Sequence, residues 1–236
     1  MTDLHTHILP GLDDGARDVH EALRLLGLER AQGVSALVCT PHCDLSRESL
    51  PAFCKRRAGA ALALGRALRG AQTGIDIRLG AELRLDPCLL GLDPAPLCFS
   101  GTRVLLVEMP WDLRPIWDVR VLEHLVNAGF VPLVAHVERY PYVQRHPQLV
   151  EEWRKAGALL QVNAASLTER SPRGQLAMAL VRAGRAAAAA SDTHSPLHRP
   201  PNLREAMAHV ARTLGPGAAR RLEAGAAALF AGKRPG

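Results

Sequence analysis

Apolar residues along the chain fall into two alternating kinds of segment. Short β-like runs cover Thr2–Leu4, Ser35–Thr40, Asp76–Gly80, Arg103–Val107, Val131–Ala135, Ala158–Val162 and Ala186–Ser191. Between them lie amphipathic stretches near Val19–Gln32, Pro51–Leu68, Ile116–Ala128, Gln148–Ala156 and Gly174–Ala183, and two further helices are expected near Asn202–Leu214 and Ala218–Leu229. Strands that alternate with helices imply an α/β fold with a parallel sheet. About seven such units predict a closed or nearly closed barrel resembling a TIM barrel with one strand fewer, with an open doubly wound sheet as the alternative. No internal repeat or linker marks a second domain, so residues 1–236 are expected to form one.

Composition removes several classes of function. The 236 residues are 47% hydrophobic and 22% charged, a globular balance with a large core within reach. The formal charge of +6 could suit nucleic acid or anionic substrates. The densest basic cluster, Lys55-Arg56-Arg57, is short, so a generally Arg-rich surface explains the charge and no nucleic-acid partner is expected. The five cysteines form no C-x-x-C pair, and none is followed six positions later by Arg, which excludes the C-x5-R phosphatase loop. The odd count with no signal peptide points to reduced thiols in a cytoplasmic protein. The apolar run near Ala186–Ala190 is too short to cross a membrane. Phosphate-loop, G-x-S-x-G and H-E-x-x-H motifs are absent.

The informative feature is where His, Asp and Glu fall. His5 and His7 follow the first run, His42 the second, Glu82 the third, Glu108 the fourth, His136 the fifth, and Asp192 with His194 the seventh; Asp13 and Asp14 lie in the first loop. Each has an ordinary explanation alone: His-x-His at an exposed strand end, Asp-Asp-Gly as a turn, Asp-x-His as a helix cap. Together they place a ligand-type residue at nearly every strand C-terminus, the face on which parallel α/β folds build their sites. His20, His124, His146 and His209 lie on expected helices or their flanks and are read as surface residues. His and carboxylates without cysteine suit Mn, Zn or Fe. So many candidates exceed what one ion needs, and two or three ions sharing a bridging carboxylate would hold a hydroxide and clamp a phosphoryl group. Spacing leaves Asp13 and Asp14 equivalent as ligands.

The blocks Asp3-Leu4-His5-Thr6-His7-Ile8-Leu9-Pro10-Gly11-Leu12-Asp13-Asp14-Gly15, Thr40-Pro41-His42, Gly80-Ala81-Glu82, His136-Val137-Glu138-Arg139-Tyr140, Gln161-Val162-Asn163 and Ser191-Asp192-x-His194 resemble the bacterial PHP-type (polymerase and histidinol phosphatase) protein tyrosine phosphatases. These are manganese-dependent enzymes found with capsular and exopolysaccharide synthesis genes. The resemblance runs from residue 2 to about 200 and implies a distorted TIM-like (β/α)7 barrel of the PHP type. It implies one metal on His5, His7, Glu82 and Asp192, a second on Glu82, Glu108 and His136, and a third on Asp14, His42 and His194. Arg139 and Arg199 match the positions that bind the substrate phosphate, a role that suits the guanidinium fork. The implied substrate is phosphotyrosine, on the tail of a polysaccharide-assembly tyrosine autokinase. A small-molecule phosphatase acting on histidinol phosphate, or a non-catalytic PHP-like regulatory module, is the alternative. The stretch Pro110-Trp111-Asp112-Leu113-Arg114-Pro115 matches no pattern of the family and is expected to line the pocket entrance.

Overall fold

The computed structural model describes residues 1–70 and 73–235. Its strands are β1 (Thr2–Thr6), β2 (Ala36–Cys39), β3 (His42–Cys43), β4 (Asp76–Leu79), β5 (Glu82–Arg84), β6 (Val104–Glu108), β7 (Val131–Val134), β8 (Leu159–Asn163) and β9 (Ala188–Ala190). The helices are α1 (Val19–Gln32), α2 (Leu50–Ala67), α3 (Asp118–Asn127), α4 (Pro141–Arg145), α5 (Leu149–Lys155), α6 (Ala164–Thr168), α7 (Pro172–Arg182), α8 (Leu203–Leu214) and α9 (Pro216–Phe230). All strand pairs are parallel, in the orders β1-β2-β4 and β3-β5-β6-β7-β8-β9. Only Thr40-Pro41 separates β2 from β3, and only Gly80-Ala81 separates β4 from β5, so each pair is one strand with a kink. Backbone bonds bridge the kinks: Gly80 N–H donates to Cys39 O at 2.8 Å and Glu82 N–H to Pro41 O at 3.0 Å.

The result is a curled parallel sheet whose strands neighbour one another in sequence order. The reversal of order that defines an open doubly wound sheet does not occur. The end of β9 returns to β1: Asp192 N–H donates to His5 O and His7 N–H to Thr193 O, both at 2.9 Å.

Why the strands read as unbroken apolar runs is visible in the core. Side chains alternate across a strand, and here both faces are dry. Val104, Leu106, Leu133, Ala135, Val38 and Leu4 point into one apolar cluster, shared with Leu229 and Phe230 of α9. Their neighbours Leu105, Val107, Val134, Leu37 and Cys39 point into the other, shared with Leu25 of α1, Val121 of α3 and Trp153 of α5. The C-terminal half of α9 thus lies against the inner cluster, while its first half packs with the other helices on the outer face. Helix ends follow local chemistry: Asp18 caps α1 by accepting from Glu21 N–H at 2.8 Å, and Gly33 ends it at φ 86°.

Element boundaries agree with the sequence expectation to within a few residues, with two informative differences. β1 and β8 run on through His5-Thr6 and Asn163, polar residues that interrupt the apolar pattern yet are buried. The short helices α4 and α6 have five residues each, too few for a helical period to register.

Close packing of α9 yields a direct test. A Cβ at Gly225 would lie 1.9 Å from the backbone oxygen of Ala187, just before β9. In a free helix Ala is favoured over Gly by about 1 kcal/mol. Here the obstacle is main chain, and G225A is expected to destabilise the fold by about 1–3 kcal/mol. The denaturant midpoint should fall at constant slope; a raised midpoint would show that α9 can shift freely.

Candidate metal centre

The sequence places potential ligands at the strand ends, and the curl of the sheet brings nine of them to one spot: His5, His7, Asp14, His42, Glu82, Glu108, His136, Asp192 and His194. Glu82 is at the middle. Its Oε2 lies 3.1 Å from His5 Nε2, 3.3 Å from His7 Nε2 and 3.0 Å from His42 Nδ1, and its Oε1 lies 2.8 Å from His136 Nε2. Asp192 Oδ1 faces His5 Nε2 at 3.5 Å and His7 Nε2 at 3.6 Å. Glu108 Oε1 is 3.8 Å from His136 Nε2. Asp14 Oδ1, on an exposed side chain, stands 3.4 Å from His42 Nε2 and 3.3 Å from His194 Nε2. By contrast His20, His124 and His146 are exposed, as the sequence reading expects.

Local structure fixes these side chains. The first loop folds back so tightly that a Cβ at Gly15 would fall 2.1 Å from His7 O, so only glycine fits there. His136 and Asp192 are the only non-glycine residues with positive φ among the described residues, at 32° and 55°. Backbone in this region costs of order 1–3 kcal/mol and persists where the surroundings over-determine it. For His136 one such constraint is Gln161, whose Oε1 accepts from its N–H at 2.8 Å.

A second layer of contacts, which ligand spacing alone does not reveal, sets which ring nitrogens face inward. Asp13 Oδ2 accepts from His7 Nδ1 at 2.7 Å and from His42 N–H at 3.0 Å, while Oδ1 takes Gly15 N–H. Its oxygens are thereby engaged, and the two adjacent aspartates have different surroundings. Gln161 Oε1 lies 3.4 Å from His5 Nδ1. His194 Nδ1 is bonded to Asp192 O at 2.9 Å, leaving Nε2 for Asp14. Asn163 Nδ2 donates to Asp192 Oδ2 at 2.9 Å. The same Oδ2 receives Arg139 Nη1 at 2.6 Å and a close contact from Arg199 Nη2, so both expected phosphate-binding arginines are at the centre. Gln161 and Asn163 sit at the end of β8, where two polar residues on either side of Val162 in a dry strand are the sequence signal for such a role.

The electrostatics suit a cation. Burial opposes ionisation of Glu82, yet the surrounding imidazoles hold its carboxyl well below the usual range. Burial and repulsion from Glu82 push Glu108 up to about 7. Burial and the charge on His7 bring His194 down to about 4, so its imidazole is neutral and has a lone pair to give. Glu82 Oε2, His136 Nδ1 and His194 Nε2 are buried, and although imidazoles surround Glu82 Oε2 and Asp14 stands near His194 Nε2, none of the three has a partner in hydrogen-bond geometry among the described residues. Dry donor atoms of this kind, all N or O and within 4.8 Å of each other in each of several sets, fit divalent ions sharing ligands. Cys39, Cys43 and Cys98 do not compete for the role of nucleophile, since burial raises the first two to about 12 and the third to about 11.

Comparison with known proteins gives a consistent picture. The sequence model of a family described as capsular polysaccharide synthesis, CpsB/CapC, matches residues 1–229. The tyrosine-protein phosphatase CpsB of Streptococcus pneumoniae is 25% identical over 232 residues, 94% of each chain. The tyrosine-protein phosphatase YwqE of Bacillus subtilis is 28% identical over 176 residues, 71% of this chain and 66% of that one. Among solved structures, a chain from the crystal structures of these two proteins, described as unique metal-dependent tyrosine phosphatases, superposes with a TM-score of 0.88 at 25% identity, covering 99% of this chain and 95% of the other.

The contacts of Asp13 generate a test. Asp13→Ala leaves His7 Nδ1 without its carboxylate, and metal affinity should drop about 10–100-fold while the fold is retained. Titration against a metal-binding dye measures this; unchanged affinity would mean that Asp13 has no part in aiming His7.

Proposed function

The chain belongs to the CpsB/CapC family of capsular polysaccharide synthesis, and from that premise we propose that it is a metal-dependent phosphatase that hydrolyses phosphotyrosine in proteins. The observation that carries the reading is the convergence of His/Asp/Glu ligand sets and two arginines on one site. The named relatives, which are tyrosine phosphatases, supply the substrate class. The proposal includes a PHP-type (β/α)7 barrel formed as a single domain over residues 1–236. Sequence-order parallel pairing and the bonds from Asp192 and His7 between the last and first strands favour it.

Within the centre we assign His5, His7, Glu82 and Asp192 to one ion, Glu82, Glu108 and His136 to a second, and Asp14, His42 and His194 to a third, with Glu82 bridging. Asp14 is preferred to Asp13 because the oxygens of Asp13 already serve His7, His42 and Gly15. Manganese is the proposed metal, and zinc or iron would suit the same donors. Bound there, the ions supply Lewis-acid charge to phosphoryl oxygens and lower the pKa of water.

Arg139 and Arg199 hold the non-bridging phosphate oxygens, both reaching the centre through Asp192 Oδ2. Asn163 remains as a donor to that oxygen when the guanidiniums turn to substrate, so Asp192 keeps its orientation. The leaving phenolate, with a pKa near 10, needs little acid assistance compared with an alkoxide. The proposed partner is the phosphotyrosine tail of a polysaccharide-assembly tyrosine kinase in the cytoplasm; the net charge of +6 favours an anionic segment. Among the described residues no helix is long and apolar enough to cross a membrane.

Purified protein should carry more than one metal per chain, and chelation should abolish turnover that Mn, Zn or Fe restores. With metal restored, phosphotyrosine peptide should be hydrolysed in preference to histidinol phosphate. The opposite preference would assign the chain to small-molecule chemistry, and full activity without metal would remove the mechanism. Arg139→Ala should lower turnover by about 10²–10³ at unchanged metal content, by analogy with loss of one preplaced donor. Arg139→Lys should recover only part of it, because an ammonium lacks the bidentate fork. Loss of metal in Arg139→Ala would place the residue in the scaffold instead.

A further inference from the structure

The segment after β6, residues 110–117, borders the centre and exposes apolar side chains: Leu113 is 76% exposed and Ile116 fully so. Trp111 in this segment is held differently. Its Nε1–H donates to Glu108 Oε1 at 3.0 Å. Its ring stacks on His136 with centroids 5.5 Å apart and 26° between planes, and it tilts against Tyr140 at 5.2 Å. The guanidinium of Arg139 lies 5.2 Å from the indole centroid. The backbone beneath is pinned, since Met109 N–H donates to Tyr140 Oη at 2.9 Å and Tyr142 Oη donates to Pro110 O at 3.1 Å. An indole fixed by this many contacts still leaves 37% of Trp111 exposed.

We propose that Trp111 determines specificity for aryl phosphates, the exposed part of its indole receiving the phenyl ring of the substrate whose phosphoryl group is gripped by Arg139. The inference rests on the phosphatase reading above and extends it to the organic part of the substrate. In an aryl phosphate the ring is joined directly to the ester oxygen, so a ring must lie within a few ångströms of the gripped phosphoryl group. Trp111 is an aromatic side chain adjoining Glu108, His136 and Arg139 at once, and aromatic rings associate at centroid separations of about 4.5–7 Å. An indole that served only to shield His136 would gain from complete burial. An alkyl phosphate, with no ring to stack, forgoes the contact, and rigid placement of the indole means that little order must be imposed on binding.

The test uses binding as well as turnover. Calorimetry of the metal-loaded protein with phenylphosphonate and methylphosphonate, neither of which is hydrolysed, should show tighter binding of the phenyl compound. Trp111→Ala should reduce that preference about three- to tenfold, the range expected for one aromatic pair. Trp111→Phe, which keeps a ring but cannot donate to Glu108, should retain most of it. The ratio of kcat/KM for phenyl phosphate over β-glycerophosphate should follow the same order, with metal content equal in all three proteins. Equal preference in wild type and Trp111→Ala overturns the proposal, as does an equal loss in Trp111→Ala and Trp111→Phe, which would make the hydrogen bond to Glu108 the whole contribution. Phenyl preference in wild type that vanishes in Trp111→Ala without turnover of any phosphomonoester would keep the proposal and overturn the phosphatase reading.

Discussion

A carboxylate taken out of water costs several kcal/mol unless other charges or donors replace the solvent. Glu82 is 1% exposed and ionised, and imidazoles from the ends of three other strands surround it. The rest of the centre follows from that placement. Histidines must converge on Glu82, so their strands must end together, and the kink at Gly80-Ala81 must aim Glu82 inward. A Cβ at Gly80 would meet Phe99 Cδ1 at 2.8 Å and Val38 Cγ1 at 3.0 Å, so the chain is tightly packed just before Glu82. The scaffold is dry on both faces of the sheet, which keeps the local dielectric low and makes every unpaired donor atom costly.

That requirement also explains why the polar contacts come in layers. Four of the candidate ligands have a partner that limits their freedom: Asp13 for His7, Gln161 for His5, Asn163 for Asp192, Trp111 for Glu108. These partners are themselves bound to backbone or to neighbouring ligands, as when Gln161 holds the N–H of His136 and Asp13 that of His42. Rigidity of this kind lets the site tolerate two residues at positive φ.

Much of this was legible in the sequence because strand ends and ligand chemistry both leave marks in it. Helix α1 is bounded by an Asp cap and a Gly stop, and its bounds read directly from residues 19–32. The candidate ligands at positions 5, 7, 42, 82, 108, 136, 192 and 194 were visible because they follow apolar runs. Asp14 was not separable from Asp13, since a turn gives no period from which direction can be read; only the fold-back at Gly15 decides which carboxylate reaches His7. The extension of β1 through His5-Thr6 was hidden for a related reason. A buried polar pair looks like a strand terminus until its partners, here Glu82 and the Val38 carbonyl, are known from three dimensions. Trp111 carried no periodic signal at all, and its contacts with His136 and Arg139 arise only when the ends of β6 and β7 are brought side by side.

The return of β9 to β1 bears on how the molecule reaches its working state. His5 and His7 lie near the start of the chain and Asp192 and His194 more than 180 positions later, and backbone bonds between the two segments bring Asp192 to 3.5 Å from His5 and 3.6 Å from His7. Contacts of such long sequence separation close large loops and form late when a chain folds. A nascent polypeptide therefore presents seven of the nine candidate ligands with no enclosure around them, and Asp192 and His194 arrive together with the strand that seals the sheet. The nine candidate ligands come together only when the end of β9 bonds to β1, so a chain that stops short of β9 holds an incomplete set.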